Sequence, residues 1–182
     1  MSIKRIGLIG TGNMGSAMVK GWIKADPAMV ERISIADAIP SAVKRLAKET
    51  GVAVATSNLE LVKGSDLVVI AVKPGDIENA LDGCLEQFGR GKILVSVAAG
   101  RTVISLESIF PVDVAVVRLM PNVAAEVNAG TICFASGNNV DLQTEEEVAE
   151  LFRPLGRVMV LPEKLFAAAT AISGSGPGFV AL

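Results

Sequence analysis

The chain has 182 residues, 51% hydrophobic and 20% charged, with a formal net charge of -2. That apolar content excludes intrinsic disorder, and the acidic balance argues against a nucleic-acid binder, which would carry a basic stripe. No apolar run approaches the roughly 20 residues that a bilayer requires, and Gly10, Gly12 and Asn13 interrupt any signal-peptide core after Lys4-Arg5, so no membrane association is expected.

Strand-like and helix-like segments alternate along the chain. Ile6 to Ile9 is a short apolar run that ends in glycine, as a buried parallel strand would. Asn13 to Lys24 places Met14, Ala17, Met18, Gly21 and Trp22 on one helical stripe. Ile33 to Ala36 reads as a second strand. Pro40 to Thr50 reads as a helix, with proline in its first turn and Gly51 just past its end. Val52 to Ala55 is a third strand, Leu59 to Val62 a helical turn, and Leu67 to Val72 a fourth strand. Asp76 to Phe88 is expected as one helix with Ile77, Ala80, Leu81, Cys84, Leu85 and Phe88 inward. Then come a strand at Ile93 to Val97, a helix from Val103 to Phe110 that stops at Pro111, and strands at Val114 to Leu119 and Gly130 to Ala135. Thr144 to Phe152 reads as a helix whose N-terminus accommodates Glu145, Glu146 and Glu147, a solvated acidic face rather than a site. Val158 to Leu161 is the last strand.

This alternation predicts an α/β fold, a Rossmann-like, mostly parallel sheet with helices on both faces. The composition changes near Pro162. Leu165 to Ile172 is an alanine-rich helix, Ser173 to Gly178 breaks it, and Phe179 to Leu182 reads as the first turn of another. The expected organisation is a dinucleotide-binding domain over residues 1–161 and a truncated helical segment over residues 162–182 that opens a second domain.

There is no histidine and no tyrosine, which removes a Ser-His-Asp triad, a His-ligated metal and a Tyr-Lys pair. Cys84 and Cys133 sit in apolar stretches, as buried residues of a reducing compartment would.

The first strand runs into Gly10-Thr11-Gly12-Asn13-Met14-Gly15, a GxGxxG pattern. About one random chain of this composition in six would contain that pattern somewhere, so its context carries the information. It follows a strand and opens a helix. The three glycines serve a tight turn, a close approach of backbone to a pyrophosphate and close helix–strand packing. The helix N-terminus supplies the positive end of a dipole. Asp37 ends the second strand, where an acid accepts hydrogen bonds from ribose hydroxyls and repels a 2'-phosphate. A plain turn residue before Pro40 is the alternative, and Lys44 and Arg45 in the following helix would partly offset the acid. Three later loops lie where open α/β sheets bind ligands: Ala71 to Pro74, Ala98 to Gly100 and Met120 to Asn122. Lys73 is either a neutralising cation or a solvated one.

GxGNMG after the first strand, AVKP after the fourth, AAG after the fifth, RLMPN after the sixth and SGSGP at Ser173 to Pro177 together resemble pyrroline-5-carboxylate reductase. The resemblance runs the length of the chain. It implies an oxidoreductase that reduces 1-pyrroline-5-carboxylate to L-proline with NADPH or NADH, a cytoplasmic step of amino-acid biosynthesis. On this resemblance Ile9, Gly10, Thr11, Gly12, Asn13, Met14 and Gly15 hold the pyrophosphate. Asn58 and Asp37 reach the adenosine end. Ala71, Val72, Lys73, Pro74, Val97, Ala98, Ala99 and Gly100 line the way to the nicotinamide, with Met120, Pro121 and Asn122 beside its ring. Asn122, Ser175, Gly176 and Pro177 border the pocket for the small cyclic imine.

The chain departs from the family at three places. Val123-Ala124-Ala125 replaces the usual Thr-Pro-Ala, Gly178 replaces alanine, and Asp37 stands where NADPH-preferring members carry a neutral or basic residue. Asp37 therefore argues for NADH over NADP. Family members form homo-oligomers through a helical C-terminal domain that also completes the active site, so the expectation for this chain is dinucleotide binding with part of the site lacking. An isolated dinucleotide-binding module and a coenzyme F420-dependent NADP reductase are the alternatives. No catalytic residue is assigned. Protonation of the imine comes from solvent or a hydroxyl, with Ser173 and Ser175 as candidates that could equally be caps.

Overall fold

The computed structural model describes residues 3–89, 91–110 and 113–175. Its centre is one eight-stranded sheet in the order β3-β2-β1-β4-β5-β6-β7-β8. The strands are β1 Ile6–Ile9, β2 Ile33–Ala36, β3 Ala53–Val54, β4 Leu67–Ile70, β5 Ile93–Ser96, β6 Ala115–Met120, β7 Gly130–Ser136 and β8 Gly156–Val160. From β3 to β6 every pairing is parallel; β7 runs antiparallel to β6, and β8 follows β7. The helices are α1 Asn13–Ala25, α2 Pro40–Thr50, α3 Asn58–Gly64, α4 Ile77–Leu81, α5 Val103–Glu107, α6 Leu142–Phe152 and α7 Phe166–Thr170.

Strand alternation divides the core into two layers. Ile6, Leu8, Leu67, Val69, Val117, Leu119, Ile132 and Phe134 point to one face, where Trp22 of α1, Leu46 of α2 and Phe152 of α6 cover them. Ile9, Val68, Ile70, Leu94, Val116 and Met120 point to the other, where Leu61 of α3, Ile77 of α4, Leu106 of α5 and Phe166 of α7 pack. A strand buried on both faces must read as a continuous apolar run, and β4 does. Trp22 anchors the first layer, with its ring edge-on to Phe152 at 5.2 Å and its Nε1 donating to the Leu151 carbonyl at 2.8 Å.

Several ends differ from the sequence expectation, each for a local reason. The helix expected from Asp76 to Phe88 is broken. A 3₁₀ turn at Pro74–Asp76 leads into α4, and Gly83, in the left-handed region at φ 68°, stops it before a second 3₁₀ turn at Leu85–Gln87. The apolar spacing crosses the break because Ile77, Leu81, Cys84 and Phe88 all bury on one face of the sheet. Helix α5 stops at Glu107, although Phe110 stays buried. Strand β4 ends at Ile70, and β8 runs from Gly156 to Val160 rather than to Leu161. Edge strand β3 keeps only Ala53 and Val54 of the stretch expected from Val52 to Ala55. The cap of α6 is Asp141, which accepts the Thr144 N–H at 2.7 Å, so Thr144 lies inside the helix. The alanine-rich stretch forms α7 and then loosens into a wider, π-type turn at Ala171–Ser175. Pro111 and the turn expected from Phe179 to Leu182 lie outside the described residues. Among those residues no helix is long and apolar enough to cross a membrane.

Both cysteines are buried, as the sequence predicts, and neither forms a disulfide. Burial pushes both thiols above the ordinary range, and the nearby Asp82 adds to the effect at Cys84. The thiolate is the reactive form. Both thiols are therefore expected to resist iodoacetamide at mildly alkaline pH in the folded chain and to label in concentrated urea. Rapid labelling of either one under native conditions, read by mass spectrometry, would contradict this packing.

Candidate functional site

The strand order reverses direction between β1 and β4, because the chain winds outward from β1 through β2 to β3 and then returns to β4 on the other side. Loops leaving the C-terminal ends of two such strands diverge to opposite faces and leave a crevice. The glycine loop after β1 and the Ala71–Pro74 loop after β4 border it. A cleft of about 520 Å³ opens there, lined by Gly10 and Gly12, by Asp37 to Ile39 after β2, by Asn58, and by Ala71 to Lys73.

Two glycines make this edge possible. Gly10 has φ 104°, and a Cβ on it would stand 2.6 Å from the Ala71 carbonyl carbon. A Cβ on Gly15 would stand 2.0 Å from the Gly10 carbonyl oxygen, so α1 could not rest on the turn. Gly12 is different: the space its Cβ would take is empty, and it faces the cleft. Gly12 also caps α1 without any side-chain acceptor, and no acid lies in the first turn. The positive end of a 13-residue helix thus stands at Gly12, on the border of the cleft.

Thr11 and Asp37 lock the loop. Thr11 is fully buried, and its N–H and Oγ1 both donate to Asp37 Oδ2, at 2.5 and 2.9 Å. The other carboxylate oxygen accepts the Ile39 N–H at 2.9 Å. Asp37 is therefore a brace between the ends of β1 and β2 as well as a cleft-lining acid. Neither alternative from the sequence included this contact. Its signal was available only as a pair, a threonine inside the glycine loop and an acid closing the neighbouring strand. Lys44 and Arg45 are exposed on α2.

Asn58 is the first residue of α3, and its Nδ2 donates to the Ala80 carbonyl at 2.9 Å, which fixes α3 against α4 across the cleft floor. Lys73 is exposed on the rim. The remaining predicted residues lie farther along the same sheet edge, outside the cleft. Val97 and Ala98 are buried behind β5, and Ala99 and Gly100 are exposed. Arg101, next along, reaches back to Glu78 on α4 at 2.6 Å, and that hydrogen bond holds the Glu78 carboxyl below its usual range. Met120 and Pro121 are buried at the end of β6.

Asn122 is committed on both sides: Oδ1 accepts the Thr131 N–H at 3.1 Å and Nδ2 donates to the Ser173 carbonyl at 3.2 Å. The Ser173 hydroxyl donates to the Ala169 carbonyl at 2.8 Å, a back-bond within the helical turn. Gly176 and Pro177 lie outside the described residues, and of Ser175 only the backbone is described. Sequence reasoning passed over Arg118, a buried charge in the middle of β6, whose signal was one arginine inside the run Ala-Val-Val-Arg-Leu-Met. Among the described residues no cluster of three or more acidic or sulfur side chains is arranged to hold a metal ion.

The family described as NADP oxidoreductase, coenzyme F420-dependent, matches residues 5–100. The pyrroline-5-carboxylate reductase of Methanosarcina acetivorans is 35% identical over 180 residues, which are 99% of this chain and 67% of that one. The chain belongs to the pyrroline-5-carboxylate reductase family. The enzyme of that name from Mycobacterium leprae is 38% identical, over 98% of this chain and 62% of its own length. The crystal structure of the Plasmodium falciparum pyrroline carboxylate reductase with NADP bound superposes with a TM-score of 0.87 at 30% identity, over 97% of this chain and 64% of that one. The chain thus spans roughly two thirds of the length of these relatives.

The brace generates a stability prediction. In Asp37→Ala the Thr11 N–H and hydroxyl lose their acceptor while buried, which should cost about 1–3 kcal/mol. Asp37→Asn keeps an acceptor and should cost less. Urea unfolding followed through Trp22 fluorescence measures both, and a neutral Asp37→Ala would show that the brace carries no energy.

Proposed function

We propose that this chain is the dinucleotide-binding part of an oxidoreductase that reduces 1-pyrroline-5-carboxylate to L-proline with NAD(P)H. The observation that carries the proposal is the cleft at the strand-order reversal, where Gly12 leaves open space beside the amides of α1. Family membership supplies the substrate class. On this reading residues 1–161 form the cofactor domain and residues 162–182 open the helical one, within a cytoplasmic homo-oligomer that binds neither nucleic acid nor membrane.

The residues fit a dinucleotide. The N-terminal amides of α1 would hold the pyrophosphate. Asp37, with three contacts already made, retains acceptor capacity for one ribose hydroxyl. Asn58 and Ile39 would border the adenosine, and Lys73 would stand near the phosphates. Thr11 would act indirectly, by holding Asp37. The Ala98–Gly100 loop and Met120–Asn122 would flank the nicotinamide, and Ser175, Gly176 and Pro177 would border the imine.

A dinucleotide held there would supply the hydride for the imine carbon. What the protein supplies is position and field. The apolar end of β6, where Met120 and Pro121 are buried, would exclude water from one side of the reacting pair. The imine nitrogen must carry a proton for the carbon to be electrophilic, and solvent or a hydroxyl provides it. The Ser173 hydroxyl is already donated to a backbone carbonyl, which leaves it poorly placed for that task. We infer that the anchor for the substrate carboxylate comes from the part of the family's length that this chain does not span.

Titration of the 182-residue chain with NADH and NADPH, monitored by nicotinamide fluorescence, tests the cofactor reading. NADH is expected to bind about tenfold or more tightly than NADPH, because a 2'-phosphate would face the Asp37 carboxylate, and Asp37→Asn should narrow that ratio. Failure to bind either dinucleotide would overturn the reading. Adding 1-pyrroline-5-carboxylate should cause no oxidation above background with this chain, while the full-length Methanosarcina acetivorans relative serves as the active comparison. Turnover by the 182-residue chain would show that its own residues complete the site.

A further inference from the structure

Strand β6 contains one charge, Arg118, in an otherwise apolar run. Partners pair with the strand on both sides, Ser96 of β5 and Ala135 of β7 standing opposite Arg118, so the side chain must leave through a face of the sheet. It leaves on the α7 side and is only 6% exposed. One guanidinium nitrogen donates to Glu163 Oε1 at 2.7 Å, and the guanidinium carbon stands 4.6 Å from the centre of the Phe166 ring. Its Nε is buried and finds no acceptor among the described residues.

Stability alone does not account for this arrangement. Removing a guanidinium from water is costly, and an N–H left without a partner adds to the cost. A well-packed apolar side chain of similar volume would hold the sheet to α7 as well or better. What the charge adds is direction, because the planar fork and the stack on Phe166 set the place of Glu163 and Phe166 together.

Glu163 is shared between two elements. The oxygen that receives Arg118 also accepts the Val103 N–H at 2.8 Å, at the start of α5, just after the Ala98–Arg101 loop. A second attachment lies four residues further along the chain, two past the end of β6, where Asn122 donates to the Ser173 carbonyl at 3.2 Å. The two spacings agree. Four residues of extended chain cover about 13 Å, and the ten residues from Glu163 to Ser173, a 3₁₀ turn, α7 and part of the π-type turn, cover about 15 Å at an average helical rise. The segment therefore runs beside the C-terminal half of β6 and is pinned at both ends.

We propose that Arg118 is a positioning residue. Through Glu163 and Phe166 it sets where the turn at Ala171–Ser175 stands beside the end of β6, and through Glu163 it ties that turn to the loop after β5. The proposal rests on the reading above, in which the imine and the reducing end of the dinucleotide meet at this place. Arg118 touches neither of them. It acts through the segment it holds.

Hydrogen–deuterium exchange on the 182-residue chain tests this, alongside NADH titration of the same samples. In Arg118→Met the amides of residues 166–173 are expected to exchange about tenfold faster, while those of β1 and α1 change by less than about twofold. NADH affinity, set at the cleft farther along the sheet edge, should move by less than about twofold. Arg118→Lys restores the ion pair without the planar stack and should recover part of the protection. Glu163→Gln keeps an acceptor for Val103 but loses the charge, and should loosen the segment without disturbing the sheet. These two milder variants decide the matter if Arg118→Met does not fold. A uniform rise in exchange across the sheet would reduce Arg118 to a stability role, and unaltered exchange at residues 166–173 would overturn the proposal outright. A wild-type chain that fails to bind NADH would instead overturn the cofactor reading, and the exchange data would still judge the latch.

Discussion

Everything at the ligand-facing edge depends on one close approach, that of Gly10 to the backbone of Ala71. The reversal of strand order between β1 and β4 brings these two loops together before they part to opposite faces. A side chain at position 10 would fill the crevice and collide with the Ala71 peptide, and its backbone would be strained at φ 104°. Gly15 extends the same constraint to α1, which rests directly on the Gly10 carbonyl. Once the turn is this tight, the helix N-terminus must open onto the crevice. The positive end of the α1 dipole at this edge is thus a consequence of chain path, and it needs no charged side chain to exist.

Asp37 shows how such an edge is kept rigid. A glycine loop is entropically expensive to hold in one conformation. Here the loop's one β-branched residue, Thr11, is fully buried and tied by two hydrogen bonds to the end of the next strand. The same carboxylate that would discriminate against a 2'-phosphate is therefore part of the scaffold. On the proposed reading selectivity and rigidity are coupled at this position, and a substitution that relaxes one relaxes the other.

Much of this was legible in the sequence, because the signals were local. Strands β1 and β2 and helix α2 occupy the residues that periodicity, proline and glycine indicate. The glycine motif sits in its strand–turn–helix context, and the loops after β4, β5 and β6 all lie along one edge. The largest misreading, the helix expected from Asp76 to Phe88, arises where tertiary packing imitates a helix. Ile77, Leu81, Cys84 and Phe88 keep helical spacing across a break at Gly83 because one sheet face buries them all. Side-chain partners across the chain were not legible. Nothing local links Thr11 to Asp37, or Asn122 to both Thr131 and Ser173, since each contact is made by residues brought together only when the sheet is assembled.

The two halves of the edge are built on different principles. The half near β1 is preformed, with backbone geometry, a buried threonine and a shared carboxylate all within one short stretch of sheet. The half near β6 relies on groups from distant parts of the chain. Asn122 spends both ends of its amide on structure, and Arg118 accepts an unpartnered Nε to hold Glu163 and Phe166 in place. A buried charge that costs stability and directs a segment belongs where position matters more than strength. On the proposed function, that asymmetry follows the chemistry of the reaction. A dinucleotide is gripped by its phosphates, which tolerate a generic cradle of amides. Hydride transfer demands that two carbon atoms meet at a defined distance, and the residues around that meeting point must be fixed individually.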